Sequence, residues 1–147
     1  MYDREIVRFG IGNQCFGIYI EHIEQIVKGK IELTRLAHKY SDVHGIMRWY
    51  GNNVIVVGIN KYINQPDYQK EDEFTVICRT ARRRFAFVVE NVFAISRIKN
   101  SDIIDIGDSI WDKELFICGY YKQGCQIVPL LDLEQIAGEI DIPKIYQ

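Results

Sequence analysis

Apolar residues along the chain alternate with polar ones or run together in short stretches, and the stretches are separated by turns rich in glycine and asparagine. Residues 5–11 and 15–20 flank Gly12, Asn13 and Gln14, the pattern of a strand, a tight turn and a strand. Ile20, Ile23, Ile26 and Val27 then stand at helical spacing, which predicts a short helix or wound segment over 21–26. Such a segment is too short to hold without packing. Residues 31–36 predict another strand, and 37–43 a polar connection. Residues 45–50 and 54–59 form a second hairpin around Gly51, Asn52 and Asn53, which accept positive φ. Period two puts Met47 and Trp49 on one face, expected to be core, and Ile46, Arg48 and Tyr50 on the other. A helical turn at 60–63 and an exposed polar linker at 64–72, carrying Pro66, end the first half.

The second half repeats this plan. The segment Phe85-Ala86-Phe87-Val88-Val89-Glu90-Asn91-Val92-Phe93-Ala94-Ile95 overlies Phe16-Gly17-Ile18-Tyr19-Ile20-Glu21-His22-Ile23-Glu24-Gln25-Ile26 at an offset of 69, matching in polarity at nine of eleven positions. The exceptions set Glu24 against Phe93 and Gln25 against Ala94, as if half one needed a polar surface where half two needs a buried one. Strands are expected at 74–80 and 84–89 around a basic tip. The run 92–98, a long loop and strands at 115–121 and 125–130 follow. Asp132 with Gln135 resembles a capping box, and Gly138 suits the exit of a short helix at 133–137. Two copies make a duplication, not a solenoid. Short strands and hairpin turns in two sets predict an all-β protein of two small antiparallel barrels side by side, two related halves rather than one core.

A length of 147 residues, with 48% hydrophobic and 26% charged, suits a compact folded protein and argues against disorder. The net charge of −2 gives no electrostatic case for nucleic acid or an anionic membrane. No apolar run approaches a membrane span, and the first residues do not read as a signal peptide, so a cytoplasmic protein is expected. Cys15, Cys78, Cys118 and Cys125 form no Cys-x-x-Cys pair and are expected as reduced packing residues. Catalysis finds little footing. Gly10–Cys15 lacks the last glycine of a dinucleotide loop and opens onto a strand. Asp102, Asp105 and Asp108 lack the alternation of a calcium loop, and His22, His38 and His44 make no ligand pair. A Cys15 nucleophile with His22 is left open by spacing alone. No enzyme, cofactor or metal is expected.

An ordered series of segments carries a family resemblance across nearly the whole chain. Gly17-Ile18-Tyr19-Ile20 precedes Ile23-Glu24-Gln25-Ile26; then come Gly45-Ile46-Met47-Arg48-Trp49-Tyr50-Gly51, Phe87-Val88-Val89-Glu90-Asn91-Val92 and Pro129-Leu130-Leu131-Asp132-Leu133. Together they resemble the CheW-like domain of bacterial chemotaxis. The resemblance implies two five-stranded, SH3-like barrels with a shared hydrophobic seam. Subdomain one would span about 1–63 and subdomain two about 73–140, joined by 64–72, with a terminal strand able to cross between them. It also implies a non-catalytic cytoplasmic adaptor that couples chemoreceptor hairpin tips to the regulatory domain of a CheA-type histidine kinase. Its recruitment to membrane receptor arrays would run through those partners, without insertion of its own.

By the same resemblance the receptor side comprises Ile23, Glu24, Gln25, Gly45, Arg48 and Tyr50. Its polar letters depart from the family pattern. Ile23-Glu24-Gln25-Ile26 stands where Val-x-Glu-Ile is usual, Arg48-Trp49-Tyr50-Gly51 where Asn-Leu-Arg-Gly is usual, and Gly58 and Asn60 replace an aspartate and an arginine. Weakened or altered receptor contact is therefore expected, with Arg48 placed to stand in for the missing arginine, one i+2 step away on the same strand face. Arg79, Arg82, Arg83 and Arg84 read first as a solvated hairpin tip that protects strand edges, with contact to phosphate as the alternative. Two other readings remain: an adaptor of another chemosensory pathway, such as pilus motility, and a small-barrel nucleic-acid binder using these arginines with Tyr2 or Tyr121.

Overall fold

The structure is a computed structural model that describes residues 4–12, 14–29, 31–36, 43–59, 74–105 and 116–140. The expected turn at 60–63, the linker 64–72, Tyr2, His38, Asn60 and Asp108 lie outside the described residues.

Strand β1 (Arg4–Ile11) pairs antiparallel with β2 (Gln14–Tyr19) around Gly12, whose φ of +59° suits the tight reversal. A 3-10 turn at Ile20–His22 leads into β3 (Ile23–Lys28). Strands β4 (Val43–Trp49) and β5 (Asn52–Val57) form the second hairpin. Tyr50 and Gly51 alone make its loop, with φ of +48° and +79°, the signature of a type I′ turn. The second half supplies β6 (Phe74–Arg79), β7 (Arg84–Val89), β8 (Asn91–Ile98), β9 (Ile103–Asp105), β10 (Ile117–Gln123) and β11 (Gln126–Leu131). Helix α1 (Leu133–Glu139) closes the described chain, its start fixed by Asp132, whose side chain accepts from the Gln135 amide at 3.0 Å.

These strands build two sheets, ordered β8-β1-β2-β11-β10-β9 and β3-β6-β7-β5-β4. The mostly-β, two-barrel expectation is realised as sheets of six and five strands, and among the described residues their pairing does not close into rings. The repeat is visible in the topology. Each leading hairpin, β1–β2 or β6–β7, receives on one side the strand that follows the other hairpin, giving β8 on β1 and β3 on β6. On its other side each accepts a parallel partner, β11 on β2 and β5 on β7.

The sheets therefore do not divide at 64–72. Each takes its leading hairpin from one half of the sequence and its remaining repeated strands from the other, more exchange than a single terminal strand. The cause lies in the connections. Only Glu90 separates β7 from β8, fewer residues than a two-residue hairpin loop, so β8 leaves β7 for the neighbouring sheet. Glu90 fastens this crossing: its carboxylate accepts from the Gly12 amide at 2.7 Å and its own amide donates to the Gly10 carbonyl at 3.0 Å.

The largest core lies between the sheets, where the family resemblance implied a shared hydrophobic seam, so the two halves do not keep separate cores. Phe9 and Phe16 from one sheet meet Phe85 and Phe87 from the other, with Leu133 and Ile136 of α1 closing the cluster. Phe9 and Phe87 touch edge to face, ring centroids 6.4 Å apart. Smaller clusters fill each sheet's other side, one around Ile6, Tyr121 and Leu130, the other around Met47, Val56 and Ile77.

Local expectations are corrected in four places. The helix expected at 21–26 is one 3-10 turn, and Ile23–Lys28 is a strand; a bulge between Ile23 and Gln25 lets Ile23 and Ile26 both reach the core, which mimics helical spacing. Residues 31–36 contribute a single bridge, Thr34 to Ile46, with hydrogen bonds of 2.8 and 2.9 Å. The long loop after β8 contains the short β9. Of the cysteines, Cys78 is buried, Cys15 and Cys118 are half-buried, and Cys125 is exposed in a turn instead of packed.

Candidate functional site

The residues expected on the receptor side come from β3, β4 and the turn after β4, all in the five-stranded sheet. They do not all face outward. Ile23 is half-buried against the inter-sheet core. Gly45 is buried, and a Cβ there would stand 2.8 Å from the Thr34 carbonyl oxygen, so its part is to let residues 31–36 lie against β4. Glu24, Arg48 and Tyr50 reach the surface, Tyr50 with 81% of its area exposed.

Gln25 is half-buried and accepts a 2.6 Å hydrogen bond from the indole Nε1 of Trp49. Trp49 is thus not a core residue as period two suggested. It is half-buried in the sheet's smaller cluster, while Ile46 of the opposite face is buried. The Arg84 guanidinium lies 4.8 Å from the Trp49 ring centroid, and its Nε donates to Glu24 Oε1 at 2.7 Å. Tyr50 meets Trp49 edge to face at 5.0 Å. Glu24, Gln25, Trp49, Tyr50 and Arg84 therefore form one connected wall.

Beside this wall runs a groove of about 510 Å³ between β3, β4 and residues 31–36. Val27, Ile31, Leu33 and Met47 give it an apolar base. Gln25, Glu32, Arg48 and Tyr50 add polar groups of both signs. Arg48 is exposed and makes no ion pair among the described residues. An apolar base with an adaptable polar border suits a protein segment better than a small reactive substrate. Sequence reasoning missed Glu32 and Leu33, and assigned Arg84 to the basic tip instead of to this wall. The available signal was the polarity break at Glu24 and Gln25, but the complementary half of that reading fails, since Phe93 is 45% exposed, not buried.

The reactive-residue alternatives find no assembled site. Burial raises the Cys15 thiol above its ordinary pKa, against a smaller lowering by Arg8, the reverse of an activated nucleophile. His22 Nδ1 lies 3.4 Å from the Arg79 carbonyl oxygen, and no hydrogen bond joins it to Cys15 among the described residues. No group of three or more His, Cys, Asp and Glu side chains is placed to hold a metal among the described residues. No helix among them is long and apolar enough to cross a membrane. Tyr121, a stacking residue in the nucleic-acid reading, is only 1% exposed and cannot stack on a base.

The opposite sheet carries a second surface. Ile104, Tyr120 and Pro129 stand in one cross-strand row of β9, β10 and β11, and Lys122 and Ile127 in the next row on the same face. Ile104 and Ile127 are 62% and 63% exposed, while Ile103, Tyr121 and Val128 of the alternate row turn inward.

Comparison with known proteins accounts for this architecture. The structure matches the crystal structure of the scaffolding protein TtCheW from Thermoanaerobacter tengcongensis, with a TM-score of 0.77, 88% of each chain covered and 18% identity. In sequence it is 26% identical over 133 residues to the chemotaxis protein CheW of Helicobacter pylori, covering 90% of this chain and 80% of that one. The family model described as CheW-like domain matches residues 5–141, and the chain belongs to the CheW-like domain family.

Proposed function

We propose that the chain is a non-catalytic adaptor that couples chemoreceptor hairpin tips to the regulatory domain of a CheA-type histidine kinase. Family membership carries the coarser statement, a CheW-type adaptor or scaffold. The observation that supports the finer one is the groove bounded by β3, β4 and residues 31–36, which offers a protein segment an apolar seat and Arg48 at its border. In this reading the receptor tip docks there. The outer face of the six-stranded sheet that carries Ile104, Tyr120 and Ile127 takes the kinase. The adaptor works in the cytoplasm and reaches membrane arrays through its partners. Tyr50 occupies the family's usual arginine position, so contact with a standard receptor tip is weakened, and Arg48 supplies the remaining charge.

Titration calorimetry against a soluble receptor hairpin and a kinase regulatory domain tests both surfaces. Arg48→Ala is expected to weaken receptor binding about tenfold, equivalent to ~1.4 kcal/mol, and Tyr50→Arg to strengthen it, with kinase affinity unchanged in both. Ile127→Glu is expected to weaken kinase binding alone. Loss of kinase binding in Arg48→Ala with receptor binding intact would reverse the assignment. A chain that binds neither chemotaxis partner but recovers a pilus-motility kinase from its host would support the second pathway instead.

A further inference from the structure

Next to the receptor-facing wall, a second cleft of about 360 Å³ opens between the β4–β5 turn and the tip of the β6–β7 hairpin. Arg79, Arg83 and Arg84 line it together with Asn52 and Asn53, and none of its described lining residues is a carboxylate. We propose that this cleft binds a small oxyanion of the phosphate class, as inorganic phosphate or as a phosphate monoester.

Three observations carry this proposal, and none depends on the adaptor reading. Arg79 and Arg84 are direct cross-strand partners in the β6–β7 register. Like charges placed opposite each other destabilise a sheet; the Glu24 carboxylate relieves part of this through Arg84, and an anion between the two guanidiniums would relieve the rest. The plainer explanation, basic residues that protect a sheet edge, does not apply, because β6 and β7 lie inside the sheet between β3 and β5. Finally, Nε and Nη1 of Arg83 are buried and have no hydrogen-bond partner among the described residues. Buried donors are nearly always satisfied; these two nitrogens have no solvent-accessible surface, so they gain an acceptor when the Arg83 side chain turns toward an anion in the cleft it lines.

Charge selects the anion. Glu24 neutralises one unit through Arg84, which leaves about two positive charges from three guanidiniums, the balance for a phosphate group carrying ~1.5 to 2 negative charges. A single carboxylate leaves the Arg79–Arg84 repulsion only partly offset. Guanidinium forks and carboxamide N–H groups are also the donors that suit tetrahedral oxyanions. The hairpin tip is built to present them: Thr80 accepts at its hydroxyl from the Arg82 and Arg83 amides, at 3.3 and 3.2 Å, and donates its own amide to the Arg83 carbonyl at 3.0 Å. Arg82 does not share the cleft. Its guanidinium lies over Gly138 of α1, where a Cβ would stand 2.8 Å from Nη1.

The test uses Trp49 as reporter, since Arg84 contacts both the cleft and the indole. Trp111→Phe removes the second tryptophan. Inorganic phosphate and phenyl phosphate are titrated separately at constant ionic strength, with chloride as control. A saturable change in Trp49 emission is expected, weakened at least about tenfold by Arg83→Gln and left within about twofold by Arg82→Gln. Tighter binding of phenyl phosphate assigns the site to a monoester; equal or weaker binding assigns it to the free anion. Phosphate is also expected to raise the thermal midpoint of the unsubstituted protein, a readout independent of whether Arg83→Gln folds. The proposal is overturned if chloride reproduces the effect, or if Arg82→Gln and Arg83→Gln weaken binding equally.

Discussion

Gln25 and Trp49 are joined by a 2.6 Å hydrogen bond from the indole Nε1 to the amide oxygen, across two strands that are not neighbours in the sheet order. The amide at position 25 is therefore a fixed part of the wall, holding the ring on which Arg84 rests. Gln25→Leu removes the acceptor and leaves a half-buried N–H unpaired. Such a loss costs about 1–3 kcal/mol, readable as a lower urea midpoint. Gln25→Glu keeps an acceptor and is expected to retain most of that stability. Equal losses in the two variants would mean that the bond contributes nothing.

Trp49 itself is half-buried, whereas Phe87 is fully enclosed between the sheets. Phe87→Ala is expected to cost about 3–5 kcal/mol. Trp49→Ala should cost less, within the range of roughly 0.5–3 kcal/mol that covers most point substitutions. The order of the two denaturation midpoints checks this directly, and the reverse order would place the weight of the core in the smaller cluster.

Hairpins and strand positions were legible in the sequence because alternation and turn residues are local signals. Residues 5–11 and 45–50 needed nothing beyond period two and a glycine or asparagine turn, and 84–89 an apolar run after a basic tip. What local pattern could not carry was which hairpin each strand joins. The repeat of residues 16–26 at 85–95 marks two copies, but the same letters serve a strand that returns to its own hairpin or one that crosses to the other. The crossing is decided by the single residue between β7 and β8 and by long-range bonds such as Glu90 to Gly12. The bulge after Ile23 misled for a related reason, since one extra residue turns a strand's period into a helix-like spacing. At the candidate site, Glu24, Arg48 and Tyr50 were placed correctly on the surface. Gly45 and Ile23 proved to support that surface from beneath. Arg84, read from the sequence as part of the basic tip, was not linked to this wall because it arrives from the other half of the chain.

Tyr121 predicts an alkaline limb to stability. Burial pushes its phenol up from 10.0 to about 12, opposed by smaller pulls from Arg8 and a hydrogen bond with Ser96. The folded state holds this proton more tightly than the unfolded state, so the contribution is complete below pH 10.0 and is lost as pH rises through about 12. Stability measured across that window should fall more steeply for the unsubstituted protein than for Tyr121→Phe. Titration of the other tyrosines cancels in the difference. Parallel curves would mean that Tyr121 ionises with the exposed tyrosines.

Gly45 separates packing from recognition most sharply. A methyl group there would lie 2.8 Å from the Thr34 carbonyl oxygen and 3.3 Å from the Leu33 Cβ. The first obstacle is backbone and cannot swing aside, so Gly45→Ala must push residues 31–36 away from β4 and loosen the bridge between Thr34 and Ile46. Overpacking of this kind costs about 1–3 kcal/mol. The same displacement widens the groove, whose side is formed by Ile31, Glu32, Leu33 and Thr34. Gly45→Ala is therefore expected to lose receptor affinity while keeping kinase affinity, because Ile104 and Ile127 sit on the other sheet. Gly17→Ala is the matched control. Its methyl would stand 2.7 Å from Ile6 Cγ2 and 3.0 Å from Leu130 Cδ2, an equally close approach, here to buried side chains of the six-stranded sheet and away from the groove. It should lower stability by a similar amount and leave receptor binding intact at temperatures well below its midpoint. If both glycine variants lose receptor binding in proportion to their loss of stability, the groove beside Gly45 is not the receptor's seat.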